Sequence, residues 1–129
     1  MGTRRVAFVL ASLLCGGVAH AGPKEDIAAK TKEAYENYDG MDYAAAKKSL
    51  DQALVIAKKN KLDKDPLVAK VYIALGIAAH ANSDMDSAKL AFLSAVQIDP
   101  KSRLEAAYKS PEVTKMLEEA RKEGAGGDI

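Results

Sequence analysis

Apolar residues recur every three to four positions along most of the chain after residue 24, which is the spacing of one face of an α-helix. Polar and charged residues fill the positions between them, so each stretch predicts an amphipathic helix with one buried face. The first such stretch covers residues 25–38. The apolar positions of all five stretches are Ile27, Thr31, Ala34, Tyr35 and Tyr38; Ala46, Leu50, Ala53, Leu54 and Ala57; Leu67, Val71, Leu75 and Ala78; Ala88, Phe92, Ala95 and Val96; and Val113, Met116, Leu117 and Ala120.

Helix-breaking and helix-capping residues separate these stretches. Asp39-Gly40 ends the first stretch, and Asp42 is a suitable N-cap for the second. Asp65-Pro66 supplies an N-cap followed by proline at the first helical position, and Asp99-Pro100 ends the fourth stretch. Ser110-Pro-Glu opens the fifth. The pattern therefore predicts two helical hairpins at about 25–60 and 66–100 within a domain of residues 22–109, a final helix at 110–123 and a disordered tail at 124–129.

The N-terminal segment, residues 1–21, is different in character. Arg4 and Arg5 precede an uncharged run over residues 6–19, and Ala19-His20-Ala21 has the small residues of a cleavage site. This order predicts a secretory signal peptide that is cleaved after Ala21. The apolar run of about 14 residues is shorter than the roughly 20 needed to span a bilayer, so we do not expect an integral membrane span. The predicted location is periplasmic or secreted.

Two other readings of the N-terminal segment stay open. Cys15 lies within the apolar run, where a lipoprotein signal would carry its lipidated cysteine, although Leu14 and Ser12 do not match the residues that usually precede it. Anchoring through Cys15 is thus the minor alternative. Thr3-Arg4-Arg5 also has a faint similarity to a twin-arginine export signal.

Cleavage would change the chemistry that the chain can offer. The 129-residue chain has 19 basic and 18 acidic residues, and residues 1–21 contain two of the basic residues and none of the acidic ones. The mature chain would have a net charge of −1, which gives no electrostatic reason to expect nucleic-acid binding. It would also lose Cys15 and His20 and keep His80 alone, so we expect no disulfide, no metal site and no cofactor.

The two hairpins form an internal repeat at an offset of 42 residues. Asp42 aligns with Asp84, Ala46 with Ala88 and Leu50 with Phe92. The alignment also pairs Ala34 with Gly76 and Tyr38 with His80 in the preceding helices. One hairpin therefore occurs twice, and self-similarity of this kind is typical of helical-repeat proteins.

The second copy, residues 69–100, resembles a tetratricopeptide repeat, whose usual length is 34 residues. Its signature positions are Tyr72, Leu75, Gly76, Ala88, Phe92, Ala95 and Pro100. The first copy keeps Ala46, Leu50 and Ala53 but has Lys30 and Glu33 where the family has a bulky aromatic and Leu. About eight additional residues at 61–68 lengthen the second helix or the loop after it.

The resemblance implies an all-α fold of antiparallel hairpins, stacked as a short right-handed solenoid that the fifth helix caps. In this family the first helix of each repeat lines a concave groove that receives a peptide or a partner helix. The positions that carry over to this groove are Thr31, Tyr35, Tyr38, Lys70, Ile73, Ile77 and His80. The alternative for each apolar position is packing against the neighbouring repeat. The carboxylate clamp of some family members is not expected, because Thr31 and Tyr35 replace its Lys and Asn.

Catalysis is not expected, because the mature chain offers no thiol, one imidazole and no phosphate-binding loop. The carboxylate pairs Glu118-Glu119 and Asp84 with Asp86 are typical of solvated helix surfaces and caps. Two functions remain open. One is a periplasmic adaptor without chemistry of its own, which binds a peptide or helix of an envelope protein. The other is a self-associating structural subunit, or a lipoprotein component, of an envelope complex for motility, secretion or cell-wall assembly.

Overall fold

Five α-helices make up the part of the chain that the structure describes. This computed structural model describes residues 22–127, and the predicted signal peptide, residues 1–21, lies outside the described residues. The elements are α1 (Pro23–Asp39), α2 (Tyr43–Lys59), α3 (Pro66–Ala81), α4 (Met85–Ile98), a 3₁₀ turn (Ala106–Tyr108) and α5 (Pro111–Gly127). Within residues 22–127 there are helices and no strand, which confirms the predicted all-α class.

Capping residues begin the helices where the sequence predicts. The Asp42 carboxylate accepts a hydrogen bond from the Ala45 N–H, and the Asp65 carboxylate accepts one from the Leu67 N–H with Pro66 at the first helical position. The hydroxyl of Ser110 accepts a hydrogen bond from the Val113 N–H at the start of α5. Each side chain satisfies a backbone donor that the helix itself leaves unpaired.

The turns inside the two hairpins have the same geometry. Met41 and Ser83, which are 42 positions apart, have φ of 63° and 62°. The next residues, Asp42 and Asp84, donate their N–H groups to the carbonyls of Asn37 and Ala79, at 2.8 and 2.9 Å. This pairing is a Schellman motif, which ends a helix through one residue in the left-handed conformation. The internal repeat seen in the sequence is therefore repeated in the backbone.

Two boundaries refine the sequence prediction. The extra residues between the hairpins divide between helix and loop: α2 has 17 residues against 14 in α4, and a loop over 60–65 follows it. Lys61 in this loop also has positive φ, at 58°. The second boundary is a correction, because α5 continues to Gly127 although the sequence analysis places a disordered tail from residue 124.

The core consists of two adjoining clusters of buried side chains. Each helix packs against the next one in the chain, and α3 also packs against both α1 and α5. One cluster joins α1, α2 and α3, and the other joins α3, α4 and α5. Val113, Leu117 and Ala120 are buried in the second cluster, so α5 covers the open side of the second hairpin.

At the crossing of α3 and α4, Gly76 lets the two helices approach each other closely. A methyl group at Gly76 would lie 2.5 Å from the nearest ring carbon of Phe92, which is less than any ordinary carbon–carbon contact. Phe92 and Ala88 are fully buried beside it, and Tyr72 packs against the same cluster. The α3–α4 crossing therefore brings a glycine of one helix against an aromatic ring of the other.

The remaining signature positions differ in how deeply they are buried. Ala46, Leu50, Ala53 and Ala95 are buried, whereas Leu75 is half-buried and Pro100 is exposed just after α4. Lys30 and Glu33, where the first copy departs from the family pattern, form an ion pair at 3.6 Å on the outside of α1. No helix within residues 22–127 has both the length and the apolar character required to cross a membrane.

Candidate functional site

A groove of about 1050 Å³ runs along one side of the molecule, between α1, α3 and α5. α1 and α3 form its base, and the linker between α4 and α5 lies along it. Six basic and five acidic side chains line the groove together with apolar residues. Charges of both signs in nearly equal number give no strong net potential, so the groove is suited to a mixed polypeptide rather than to a polyanion.

Four of the seven predicted groove residues line this groove. They are Thr31, Tyr35, Lys70 and Ile73. Lys70 is exposed and Tyr35 is half-buried. The Thr31 hydroxyl donates a hydrogen bond to the Ile27 carbonyl of its own helix at 2.8 Å.

The other three residues lie elsewhere. Tyr38 is half-buried beside the groove, next to Tyr43, with 5.3 Å between the ring centroids. His80 is half-buried near the C-terminal end of α3, where its carbonyl accepts the Ser83 N–H of the turn. Ile77 is 2% exposed and belongs to the core.

The positions of Ile73 and Ile77 correct the expectation that α3 offers an open apolar surface. Both side chains are 2% exposed. They belong to the second core cluster, whose buried members include Phe92 of α4 and Leu117 of α5, and Leu104 from the linker packs against this cluster. Ile73 therefore supplies a small part of the groove floor, and Ile77 supplies none.

Three tyrosines form a cluster at one end of the groove, which we call the tyrosine cluster: Tyr35, Tyr38 and Tyr108. The Tyr108 ring stacks on Tyr35 with 4.4 Å between centroids and 21° between planes. It meets Tyr38 edge to face at 5.2 Å and 87°. The Tyr108 hydroxyl donates to the Asp39 carboxylate, whose two oxygens lie at 2.9 and 3.1 Å. Offset-stacked and edge-to-face geometries are the favourable ones for aromatic pairs.

The surroundings of these rings favour the neutral phenols. Burial raises the pKa of Tyr35 above its ordinary value, and the negative charge of Glu105 adds to the shift. Burial also raises the pKa of Tyr108 to about 12, together with its hydrogen bond to Asp39. A phenol that stays protonated is a hydrogen-bond donor over the whole physiological range, so the contact with Asp39 persists there.

Sequence reasoning missed the linker residues that line the groove. Ser102 is buried, and its hydroxyl lies 2.7 Å from the Asp99 carbonyl and 3.2 Å from the Ala95 carbonyl. The Arg121 guanidinium donates to the carbonyl of Ser102 and, at 3.4 Å, to that of Pro100. Leu104 and Tyr108 follow, four residues apart, between two prolines. Two largely apolar side chains four residues apart in a short linker are the sequence signal that the linker packs against the core.

Two of the carboxylates singled out in the sequence, Asp84 and Glu118, make contacts within the fold. Asp84 caps α4, and its pKa is lowered by hydrogen bonds from Ser87. Glu118 forms an ion pair with Arg121 at 2.9 Å. Within residues 22–127 no group of three His, Cys, Asp or Glu side chains is placed to hold a metal ion. These carboxylates therefore have structural roles that account for their positions.

Comparisons with known proteins leave the family of this chain open. No family model, no curated protein and no solved structure matches it.

Proposed function

We propose that this protein is a non-enzymatic interaction module of the bacterial cell envelope. In this proposal it is a tetratricopeptide-repeat adaptor, which binds an extended peptide or a helix of another envelope protein in the groove between α1, α3 and α5. It supplies binding energy and orientation and performs no reaction of its own.

The repeat assignment is supported by three features of the fold. The Schellman turns recur 42 residues apart with nearly equal φ values. Each helix packs on its chain neighbour, with α3 against α1 and α5, which is the contact pattern of a stacked array of hairpins. The close approach at Gly76 and Phe92 matches the small and aromatic positions of the family signature. The right-handed solenoid is the superstructure that these features favour.

The groove itself is the observation that carries the proposed function. It lies along the helices that line the concave face in tetratricopeptide proteins, and its volume of about 1050 Å³ exceeds that of most small-molecule sites. Its lining mixes aromatic, aliphatic and charged side chains, which is typical of protein interfaces. The signal-peptide pattern of residues 1–21 supports a periplasmic or secreted location for this function.

Cross-linking and affinity capture from native envelope extracts test the proposal. The groove variant is Lys32→Glu with Lys70→Glu, because both lysines are exposed and line the groove. The matched control is Lys89→Glu with Lys122→Glu, which makes the same charge change on exposed positions of α4 and α5 outside the groove. We expect the wild type and the control to recover the same partner and the groove variant to lose it. Equal recovery by both variants would show that the groove is not the binding site.

Self-association is the second candidate function, and it has its own observation. Val55 on α2 and Leu90 on α4 are 51% and 65% exposed, on helices that face away from the groove. Light scattering over a range of concentrations separates the candidates. An adaptor keeps a monomeric mass, whereas a self-associating subunit gains mass with concentration and loses that gain in a Val55→Lys, Leu90→Lys variant.

A further inference from the structure

The linker between α4 and α5 lies in the groove that the proposed function assigns to a partner. We call residues 101–110 the linker segment. Its side of the groove is lined by Lys101, Arg103, Leu104, Glu105 and Tyr108, opposite α1 and α3. Apart from the 3₁₀ turn Ala106–Tyr108, the segment has no regular structure, so it resembles an extended peptide laid along two helices.

The first residues of the linker segment are fixed to the fold. Ser102 is buried and hydrogen-bonded to α4, and Arg121 of α5 donates to its carbonyl. Beyond Ser102 the attachment changes. In the described chain, the backbone hydrogen bonds of residues 103–109 that lie outside the helices stay within the segment, from Tyr108 N–H to Glu105 and from Lys109 N–H to Ala106. The contact with α1 and α3 is therefore made by side chains, mainly Leu104 and Tyr108.

Tyr108 makes the most specific of these contacts. Tyr35, Tyr38 and Asp39 lie within one turn near the C-terminal end of α1, and each contacts a different part of the Tyr108 side chain. Tyr35 covers one face of the ring, Tyr38 meets it at a right angle, and Asp39 accepts the hydroxyl. Together they form a receptor for a phenol: phenylalanine would leave the Asp39 carboxylate without its donor.

The two buried apolar clusters are built without side chains of the linker segment. Leu104 and Tyr108 are half-buried and lie at the edge of the second core cluster, whose buried members come from α3, α4 and α5. Arg103, Glu105, Ala106, Ala107 and Lys109 are exposed. A segment held by two side chains at the edge of the core can leave the groove while both hairpins keep their packing.

We propose that the linker segment is an internal ligand of the groove, and that the external partner is an extended peptide presenting a tyrosine to Tyr35, Tyr38 and Asp39. This inference rests on the proposed function and names the partner's chemistry. The linker segment is tethered at both ends, so it competes at a high effective concentration and the partner must displace Tyr108. Binding is thereby restricted to partners that supply an equivalent aromatic donor.

A peptide added in trans tests the proposal directly. The probe is a fluorescently labelled peptide with the sequence of residues 101–110, KSRLEAAYKS, and its partner is either the wild type or a Tyr108→Ala variant of the full protein. We expect the variant to bind the probe at least about tenfold more tightly than the wild type, because its groove has lost its own occupant. A probe with alanine in place of the tyrosine should lose this binding.

Two further variants make the result specific. Ala107→Ser changes an exposed neighbour of Tyr108 that does not line the groove, and should leave probe binding at the wild-type level. Tyr108→Phe keeps the stacking and loses the hydrogen bond to Asp39, so probe affinity should lie between those of the wild type and Tyr108→Ala. Equal binding of the probe to the wild type and to Tyr108→Ala overturns the proposal. An unfolded Tyr108→Ala variant, seen by circular dichroism, also overturns it because the segment would then be a structural element.

Envelope capture with the same proteins separates this inference from the proposed function. If both hold, Tyr108→Ala recovers more partner than the wild type does. Equal recovery by these two, with loss in the Lys32→Glu, Lys70→Glu variant, keeps the adaptor function and removes the internal ligand. Binding of the probe in trans without recovery of any envelope partner keeps the internal ligand and removes the adaptor function.

Discussion

The two hairpins have the same turn geometry, but different side chains pack where their two helices cross. In the second hairpin Gly76 opposes Phe92, whereas the equivalent positions of the first hold Ala34 and Leu50, both buried. The smaller residue on one helix is thus matched by the larger one on the other. In a close-packed interior the total side-chain volume at a crossing has to stay nearly constant. A smaller residue on one helix therefore needs a larger one on its partner if the backbone geometry is to stay the same.

The groove side differs more than the crossing does. Tyr35, Tyr38 and Asp39 in α1 align with Ile77, His80 and Ala81 in α3. α3 has neighbours on both sides, and of its equivalent residues Ile77 is buried in the core while His80 and Ala81 are half-buried. α1 has one free flank and presents an aromatic and acidic surface. Position in the array, rather than the repeat pattern, therefore decides which copy carries the candidate site.

The largest expected effect is the loss of the aromatic side chain at the α3–α4 crossing. Phe92→Ala should lower the free energy of unfolding by about 3–5 kcal/mol, and Leu50→Ala at the equivalent position by a smaller amount, about 2–4 kcal/mol, because it leaves the smaller cavity. Leu90→Ala, at a 65% exposed position, is the control and should stay within about 0.5 kcal/mol. Urea denaturation measures all three. A larger loss at Leu50 than at Phe92 would contradict our view of the two crossings.

The second effect concerns the small residue at the same crossing. Gly76→Ala should destabilise the protein by about 1–3 kcal/mol, because the new methyl group would overlap the Phe92 ring. Gly40→Ala is the matched control, since a methyl group there meets its nearest neighbours at 3.6 and 3.7 Å, which is ordinary contact. We expect Gly40→Ala to be neutral or slightly stabilising. Thermal unfolding of both variants checks the contrast, and a Phe92→Leu background should reduce the cost of Gly76→Ala.

The third effect tests whether the two turns are equivalent. Met41 and Ser83 both occupy the left-handed region, where glycine avoids the steric cost of a side chain. Met41→Gly and Ser83→Gly should each raise the free energy of unfolding by about 0.5–1 kcal/mol, and the corresponding alanine variants should give no gain. Melting temperatures provide the measurement. A gain in stability at one turn and not at the other would mean that the two turns have the same geometry but different energetic costs.

The smallest effect is the part of the acid dependence that comes from Glu33 in the first hairpin. Ser49 donates a hydrogen bond to Glu33, whereas the second hairpin has Leu75 and Ala91 at these positions. This bond, with the charge of Lys30, lowers the pKa of Glu33. The ionised form is favoured in the folded state, so its contribution is present at neutral pH and is lost as the pH falls through the lowered pKa.

Ser49→Ala should therefore weaken the decline of stability as the pH falls through the lowered pKa of Glu33. Urea midpoints at several pH values provide the measurement. Adding Ser49→Ala to Glu33→Gln should bring no further change in this pH dependence, because the titrating group is already absent. If the pH dependence of stability in the single Ser49→Ala variant equals that of the wild type, the hydrogen bond from Ser49 does not contribute to the titration of Glu33.

The sequence predicts the helices well because their signals are local. Apolar spacing identifies each stretch, and Asp42, Asp65 and Ser110 mark starts that the structure reproduces. Gly76 is predicted as a contact point because its neighbours have a recognisable spacing. The end of α5 is less well predicted: Gly124 interrupts the pattern, yet the helix continues to Gly127.

The candidate site is predicted less completely, because it depends on contacts between distant parts of the chain. The resemblance to tetratricopeptide repeats points to Thr31, Tyr35, Lys70 and Ile73, and these four residues line the groove. Periodicity cannot tell that Ile77 is covered, since that depends on where α5 and the linker segment pack. Tyr108 belongs to no periodic stretch, so its role follows from tertiary structure alone.

The bond between Tyr108 and Asp39 spans 69 residues, whereas most of the packing joins helices that follow one another. Stacked hairpins tend to behave as one-dimensional chains, in which each unit unfolds with little regard for those beyond its neighbour. A contact from the end of the second hairpin back to α1 closes that chain into a loop. Displacement of Tyr108 would open that loop again, so the two ends of the array would then fray independently of each other while the contacts within each hairpin stay in place.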